Sequence, residues 1–380
     1  MARDLLKPIA QTLLLLGLLG TALVMLYVKK DSTEFIVIRS EDVDEYCCQV
    51  SSDITINTTQ AFPMPKCQQN TSVTNITGFS SLSDSFKNFL YYQHCRHFPI
   101  LLDLPDKCEG VNKSGEIFLL LVIKSSPGNY ERREVLRKTW AKERSYNGVQ
   151  IRRIFISGTS GDGFEKEQLN KMLKLEYYES SDILQWDFSD TFHNLTLKQT
   201  LFLKWMEENC PNVRFVLNGD DDVFVHTNNV IEYLQNLPDN DGKKHLFTGH
   251  LLQNEKPVRW TPSKYYIPTQ IQESNQYPPY CGGGGFLMSG YTARVIYTMS
   301  QHTPLHPIDD AYMGMCLAKA GLAPSSHIGM KTLGINTISK PKDHLEPCYL
   351  RELLLVHRFL PPQIYIMWKQ VQDPHLKCRS

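Results

Sequence analysis

Residues 8 to 28 carry no charged side chain, and that one stretch decides how the rest of the chain must be built. Only Gln11, Thr12 and Thr21 add polarity to it. About 20 apolar residues in a helix match the hydrocarbon thickness of a bilayer. A cleaved signal peptide has a shorter apolar core, about 7–15 residues, and ends in a small-x-small cleavage site. Here the run ends in Tyr27-Val28-Lys29-Lys30, so we read it as an uncleaved transmembrane anchor. Flanking charge does not orient it, because Arg3 and Lys7 nearly balance Lys29 and Lys30. The downstream chemistry does. Asn-x-Ser/Thr sequons at Asn57, Asn70, Asn75, Asn112 and Asn194 accept glycans only on the lumenal side. All 10 cysteines also follow the anchor, an even number that suits disulfides in an oxidising compartment, with pairing that spacing alone does not reveal. No pair has zinc-ligand spacing.

The chain therefore divides into a cytoplasmic tail (1–7), an anchor (8–28), a lumenal stem (29–110) and a folded body (111–380). Serine, threonine and asparagine cluster between Ser51 and Ser83, which predicts an extended, glycosylated stem. Cys95 and Cys108 are placed to staple its end to the body. Lys plus Arg and Asp plus Glu both total 40, so no basic excess points to nucleic acid.

From residue 117 the pattern changes. Ile117 to Ile123 is an unbroken apolar run, short enough to be a strand buried on both faces. The turn cluster Ser125 to Asn129 follows, then helical spacing from Glu131 to Ala141. Ile154-Phe155-Ile156 is a second strand, Leu195 to Glu207 a helix, and Arg214 to Leu217 a third strand. This alternation predicts an α/β fold with a mainly parallel sheet flanked by helices.

Asp220-Asp221-Asp222 lies between Phe215-Val216-Leu217 and Val223-Phe224-Val225. A buried strand thus delivers three carboxylates at its carboxyl end, where open α/β sheets bind ligands. Oxygen ligands suit a hard divalent ion, and a diphosphate leaving group needs one to neutralise its developing charge. A solvated turn beside Asn218-Gly219 would read much the same, and only the flanking strands argue against it. Arg132, Arg133 and Arg137 share the first helix of the body; Arg133 and Arg137, four apart, face the same way toward phosphate or uridine, or else form an ordinary charged face with Glu134 and Lys138.

Other segments offer the remaining parts. Cys281-Gly282-Gly283-Gly284-Gly285 has the composition of a backbone that passes close to a ligand, with Gly283 and Gly284 as donor-side candidates. Trp260, Tyr265, Tyr266 and Tyr280 present rings on which a sugar can stack, or simply fill a core. Asp309 and Asp310 precede a helix, where an aspartate is usually a cap but a carboxylate can also take the proton of an attacking hydroxyl. His357 closes the apolar run Leu353 to Val356; beside carboxylates its imidazole completes a mixed N/O site that manganese accepts.

The order of these segments resembles the β-1,3-glycosyltransferase family (family 31), which holds β-1,3-galactosyl- and β-1,3-N-acetylglucosaminyltransferases. The resemblance rests on Ile123-Lys124-Ser125, on Arg132-Arg133-x-x-Leu136-Arg137-x-Thr139-Trp140 and on Asp187-Phe188-x-Asp190-x-Phe192-x-Asn194-Leu195-Thr196-Leu197-Lys198. It continues through Asp220 to Phe224, Tyr277 to Cys281 and Asp309-Asp310-Ala311-Tyr312-x-Gly314-x-Cys316-Leu317, and covers about residues 115 to 378. The tail Pro347-Cys348-Tyr349-x-Arg351 to Pro361 is similar to the N-acetylglucosaminyl branch, nearest its lactosaminide and core-1-extending members. Asn218 and Asp309 depart from the family, many of whose members have lysine and glutamate there.

The resemblance implies a GT-A fold, a Golgi type II membrane protein, UDP-N-acetylglucosamine as donor, a terminal β-galactose on a glycan as acceptor, manganese, and inversion at the anomeric carbon. It implies Asp222 and His357 as metal ligands, Asp220 and Asp221 around ribose and metal, Asp310 as base, and Asp309, Trp260, Tyr266 and Tyr280 on the substrate side. Two rivals remain: a β-1,3-galactosyltransferase using UDP-galactose, and a non-catalytic lumenal binding protein or chaperone on the same scaffold.

Overall fold

A fully apolar strand must be covered on both faces, and the fold builds outward from the run at Ile117. The computed structural model describes residues 67–332 and 345–378, all within one compact unit, Met64–Ser380. Its strands are β1 (Ile100–Leu102), β2 (Ile117–Lys124), β3 (Arg144–Tyr146), β4 (Val149–Thr159), β5 (Ile183–Ser189), β6 (Phe215–Asp220), β7 (Val223–Val225), β8 (Phe247–Leu252), β9 (Tyr280–Ser289), β10 (Ser325–Ser326), β11 (Met330–Lys331) and β12 (Leu355–His357). Its α-helices are α1 (Asp84–Tyr92), α2 (Tyr130–Lys138), α3 (Gly163–Ser180), α4 (Leu195–Asn209), α5 (Thr227–Gln235), α6 (Gly290–Ser300), α7 (Asp309–Lys319), α8 (Pro347–Leu350) and α9 (Pro361–Val371).

All eight residues of β2 are buried. Leu120 and Val122 face a core shared with Leu197, Leu201 and Phe202 of α4. The alternate residues Leu119, Leu121 and Ile123 face Leu136 and Trp140. The main sheet runs β1-β5-β4-β2-β6-β9-β8-β10, with β3 on β4. Strands β5, β4, β2 and β6 are parallel neighbours, but β9 runs antiparallel to both β6 and β8. The sheet is therefore mixed, where alternating strand and helix predicted a mainly parallel one. Its parallel half is the part built from strand–helix–strand units, and β9 breaks the rule because it is reached from β8 through a long loop and not a helix.

A second sheet, β11-β12-β7, sits where β6 ends. Strands β12 and β7 pair antiparallel with His357 opposite Val223. Two further bonds fix this strand pair: the Trp140 Nε1–H donates to the Val223 carbonyl at 2.9 Å, and the Phe359 N–H to the Asp222 carbonyl at 2.7 Å.

Residues 67–110, assigned above to the stem, pack on the body instead. Phe86, Phe89 and Leu90 of α1 are buried in the same core as Leu184 and Trp186. The Ser83 hydroxyl caps α1 by accepting from the Phe86 N–H at 3.3 Å. A helix of nine residues inside a serine-rich stretch is too short for its apolar spacing to stand out. Disulfides join Cys67 to Cys95, Cys108 to Cys210 and Cys348 to Cys378, so Cys108 does staple this region to the body while Cys95 closes a loop within it. Cys281 and Cys316 are free and buried. Among the sequons, Asn75 and Asn112 are exposed, whereas Asn194 is 2% exposed and its amide donates to Asn88 Oδ1 and the Ser189 carbonyl, both at 2.8 Å. The tail, the anchor, Cys47, Cys48 and Asn57 lie outside the described residues; among those described, no helix is long and apolar enough to cross a membrane.

Candidate active site

The register of β7 on β12 explains the first half of the site. Val223 opposes His357, so the imidazole comes to lie beside Asp222, the residue before β7. His357 Nε2 is 3.1 Å from Asp222 Oδ1 and 3.7 Å from Asp220 Oδ2. On the other side of the ring, Nδ1 is 3.0 Å from the Thr332 carbonyl. A carbonyl only accepts, so Nδ1 carries the proton and, in the neutral ring, Nε2 presents a lone pair. Asp222 Oδ1 is buried and, apart from this imidazole, has no partner among the described residues. Three electron-pair donors within 4.8 Å of one another thus converge on one point. Such a corner demands a cation. Burial pulls the His357 imidazole down, but Asp222 and Asp220 outweigh it and hold it above its ordinary value. Burial would likewise raise Asp222, yet His357 holds it below the usual carboxylate range. The donors, two carboxylates and an imidazole with its far nitrogen anchored on a carbonyl, fit a divalent ion such as manganese.

The second half is built around Lys124. It closes β2 in register with Asp220 and is 5% exposed. Its ammonium lies 2.9 Å from Asp220 Oδ1 and 2.8 Å from Asp309 Oδ2. Burial disfavours the charge, but the two carboxylates more than restore it. Lys124 therefore ties the end of β6 to the start of α7, where Asp310 follows. Asp310 Oδ1 accepts the Ala311 N–H at 2.8 Å. Burial, then the neighbouring Asp309 charge, push Asp310 up to about 7. A carboxyl so placed is half ionised near neutrality and is a stronger base than an ordinary aspartate.

The glycine run lies in strand β9 rather than in a loop, and its role is space. A Cβ on Gly284 would stand 2.7 Å from the His357 ring, and one on Gly283 would stand 3.2 Å from Asp310 Oδ2. Successive strand residues face opposite sides, so the bare backbone passes between the metal corner and the base. Gly283 and Gly284 make room for protein side chains, whatever they do toward a donor.

The arginines correct the sequence reading. Arg133 is 1% exposed, and its guanidinium grips Glu176 with 2.7 Å bonds from Nε and Nη2 while also donating to Ser125 Oγ and the Ser126 and Pro127 carbonyls. Arg137 binds Asp182 at 2.9 and 2.8 Å and Glu134 at 2.8 Å. Both point into the α2–α3 interface, because Glu176 and Asp182 are buried there and need partners; Arg133 reaches the aspartates only through Ser125, whose hydroxyl it shares with Asp221. Arg132 is the arginine that reaches the trio, 3.8 Å from Asp221. Asp221 also turns aside: it accepts from Ser125 Oγ at 2.7 Å and Asn129 Nδ2 at 2.8 Å. It holds the β2–α2 loop against the site and lends no oxygen to the metal corner. Asp309 is engaged by Lys124. Tyr280 packs with Tyr277 and Ala311 near the base, Tyr266 is half-buried, and Trp260 is 68% exposed on the loop between β8 and β9. Sequence reasoning missed Lys124, Ser125, Asn129 and Thr332 as parts of the site. The one available signal was Lys124, a charge closing an otherwise apolar buried strand.

The galactosyltransferase family profile matches residues 131–327. Over 321 residues the chain is 49% identical to N-acetyllactosaminide β-1,3-N-acetylglucosaminyltransferase 3 of Homo sapiens, covering 84% of each chain. It is 49% identical over 318 residues to the human acetylgalactosaminyl-O-glycosyl-glycoprotein β-1,3-N-acetylglucosaminyltransferase, covering 83% of this chain and 81% of that one. It is 42% identical over 315 residues to UDP-GlcNAc:βGal β-1,3-N-acetylglucosaminyltransferase 7 of Rattus norvegicus, covering 82% and 77%. Among solved structures, the galactosyltransferase LgtC with donor and acceptor sugar analogues aligns at 14% identity over 64% of this chain and 87% of that one, with a TM-score of 0.34, a likeness too slight to carry weight.

Proposed function

This chain belongs to the galactosyltransferase family, and on that premise we propose that it transfers N-acetylglucosamine from UDP-N-acetylglucosamine to the 3-hydroxyl of a terminal β-galactose on glycoprotein or glycolipid glycans. The observation that carries the site assignment is the lone-pair corner of His357, Asp222 and Asp220 standing beside a base poised near neutrality, Asp310. A divalent ion held by Asp222 and His357, with Asp220 at its edge, would neutralise the diphosphate of the donor; manganese suits the ligand set. The sheet that delivers these carboxylates at the end of β6 supports a GT-A-type nucleotide-sugar site, with Arg132 the arginine nearest to it.

The protein's own part of the chemistry is positional and acid–base. Asp310 accepts the proton of the acceptor 3-hydroxyl as that oxygen bonds to C1 of the sugar. The bond from C1 to the UDP oxygen breaks on the opposite face, so the anomeric carbon inverts. Asp310 is fixed on one side by the Ala311 N–H, which leaves Oδ2 for the hydroxyl. Lys124 holds Asp309, and with it the start of α7, at a set distance from β6. Tyr280, beside Asp310, and the side chains of Trp260 and Tyr266 form the acceptor side. The same reading places the chain in the Golgi membrane, with residues 8–28 as its anchor and the folded body in the lumen.

A donor screen tests it. The purified chain with Mn2+ and a β-galactoside disaccharide is expected to use UDP-N-acetylglucosamine far better than UDP-galactose. A preference for UDP-galactose makes it a β-1,3-galactosyltransferase, and no transfer from either donor returns it to the non-catalytic class.

A further inference from the structure

A cleft of about 340 Å³ opens between the α1 region, the start of α4 and the β8–β9 loop. Its volume is that of a small-ligand site. It is lined by Ser81, Ser85, Phe192, Thr261, Lys264 and Tyr266 among others, and no carboxylate lines it. Its hydroxyls, on Ser81, Ser83 and Ser85 of one wall and Thr261 and Ser263 of the other, and the Tyr266 ring are chemistry that recognises a neutral sugar, which offers hydroxyls at its rim and C–H bonds on its faces.

The cleft is built, not incidental. His193 is 5% exposed beneath it. Its Nε2 lies 3.2 Å from the Lys264 carbonyl and its Nδ1 2.8 Å from Ser85 Oγ. The carbonyl only accepts, so Nε2 carries the proton and Nδ1 takes the proton of Ser85. One buried imidazole therefore locks the α1 wall to the loop wall, and Ser85, with its proton on His193, accepts from the Ser83 hydroxyl at 3.3 Å. The Lys264 ammonium is parked 4.8 Å over the Phe192 ring and 4.9 Å over Tyr265.

Contacts run from this cleft to the base. Thr196, the second residue of α4, donates to the His306 carbonyl at 2.6 Å. His306 in turn lies 3.4 Å from the Tyr277 hydroxyl and accepts the Ile308 N–H at 3.1 Å, and Ile308 is the residue on which α7 and Asp310 begin. The β8–β9 loop lines the cleft through Thr261 to Tyr266 and ends at Tyr277, which packs with Tyr280 of β9 and with Ala311, the residue after Asp310.

We infer that this cleft is a second acceptor subsite, which binds the inner sugars of a neutral oligosaccharide whose terminal galactose lies at Asp310. The inference rests on the proposed function for the identity of the acceptor. It makes α1, read from sequence as stem, a working part of the enzyme. KM then falls as the acceptor lengthens from a disaccharide to a hexasaccharide of alternating galactose and N-acetylglucosamine, while kcat changes little.

The test compares the purified full chain with its Thr261→Trp and Lys264→Ala variants on both acceptors, beside saturation-transfer NMR of the hexasaccharide. Thr261 and Lys264 are exposed, so both variants are expected to fold. Thr261→Trp fills the cleft and is expected to raise the hexasaccharide KM about tenfold, with Lys264→Ala a smaller rise and the disaccharide unaffected by either. Equal changes on both acceptors, or none on the hexasaccharide, overturn the subsite. Should no galactoside be turned over, the functional reading fails separately. NMR still decides the cleft: hexasaccharide signals that Thr261→Trp removes support it, and signals absent from the native chain, or unchanged in the variant, refute it.

Discussion

Helix α2 and the turn between β6 and β7 are equally crowded with charge, and they use it in opposite ways. On α2, Arg133 and Arg137 meet Glu176 and Asp182 in close, buried pairs, and Arg153 adds a further bond to Asp182. Opposite charges cancel there and the donors find acceptors, which is what folding alone selects. At the β6–β7 turn, lone pairs of His357, Asp220 and Asp222 face one another, and Asp222 Oδ1 has no other partner among the described residues. Without an ion, a proton on His357, favoured by Asp222 and Asp220, holds that arrangement together; a divalent ion displaces the proton and serves all three donors. Charge in a sequence marks neither case. The state of its pairing does.

The largest effect that separates the two regions is expected at Asp310. Asp310→Asn is expected to cut kcat by about 10²–10⁴-fold while leaving UDP binding within a few-fold, read by steady-state kinetics and isothermal titration. A variant that turns over normally removes Asp310 from the base role. Next comes the paired region. Arg133→Met leaves Glu176 short of a partner in a buried place, and is expected to cost about 3–5 kcal/mol of stability with little change in UDP affinity for the folded fraction. Unchanged urea denaturation together with lost UDP affinity would break the comparison, since Arg133 would then be a donor ligand.

A smaller effect is expected from Gly284→Ala. Its methyl would sit 2.7 Å from the imidazole, so the ring must shift; the expected result is a tenfold or greater rise in the Mn2+ concentration for half-maximal rate, with thermal stability changed far less. Gly283→Ala, at 3.2 Å from Asp310 Oδ2, is expected to lower kcat with the Mn2+ requirement unchanged. The mildest test is pH. The base works deprotonated, and burial with Asp309 raises Asp310 to about 7. The kcat/KM profile is therefore expected to fall tenfold per pH unit below about 7. A profile flat down to pH 5 contradicts this placement of the proton.

Much of the body was legible because its strands are apolar and bounded. The runs at Ile117 and Phe215 became β2 and β6, and the segment from Leu195 became α4. Asp220 and His357 close apolar strands, and Asp222 and Asp310 lie within one residue of an element's start, so sequence could single them out as candidates. What sequence could not give was direction in space. Arg133 and Arg137 carry the same charge as Arg132, and only the buried Glu176 and Asp182 decide which of them turns away. The register of β7 on β12 joins residues more than a hundred positions apart and leaves no local trace. Asp221 is chemically identical to its neighbours, yet alternation along the chain sends it to Ser125 and Asn129.

The central claim is that the unpaired corner, and not the paired helix, binds the ion. Electron paramagnetic resonance titration of Mn2+ into the purified chain with saturating UDP tests it most directly. The account predicts one bound Mn2+ per chain, an affinity weakened at least tenfold by His357→Ala, and no change with Arg137→Gln in the folded protein. Binding that survives His357→Ala intact but is lost with Arg137→Gln would contradict it.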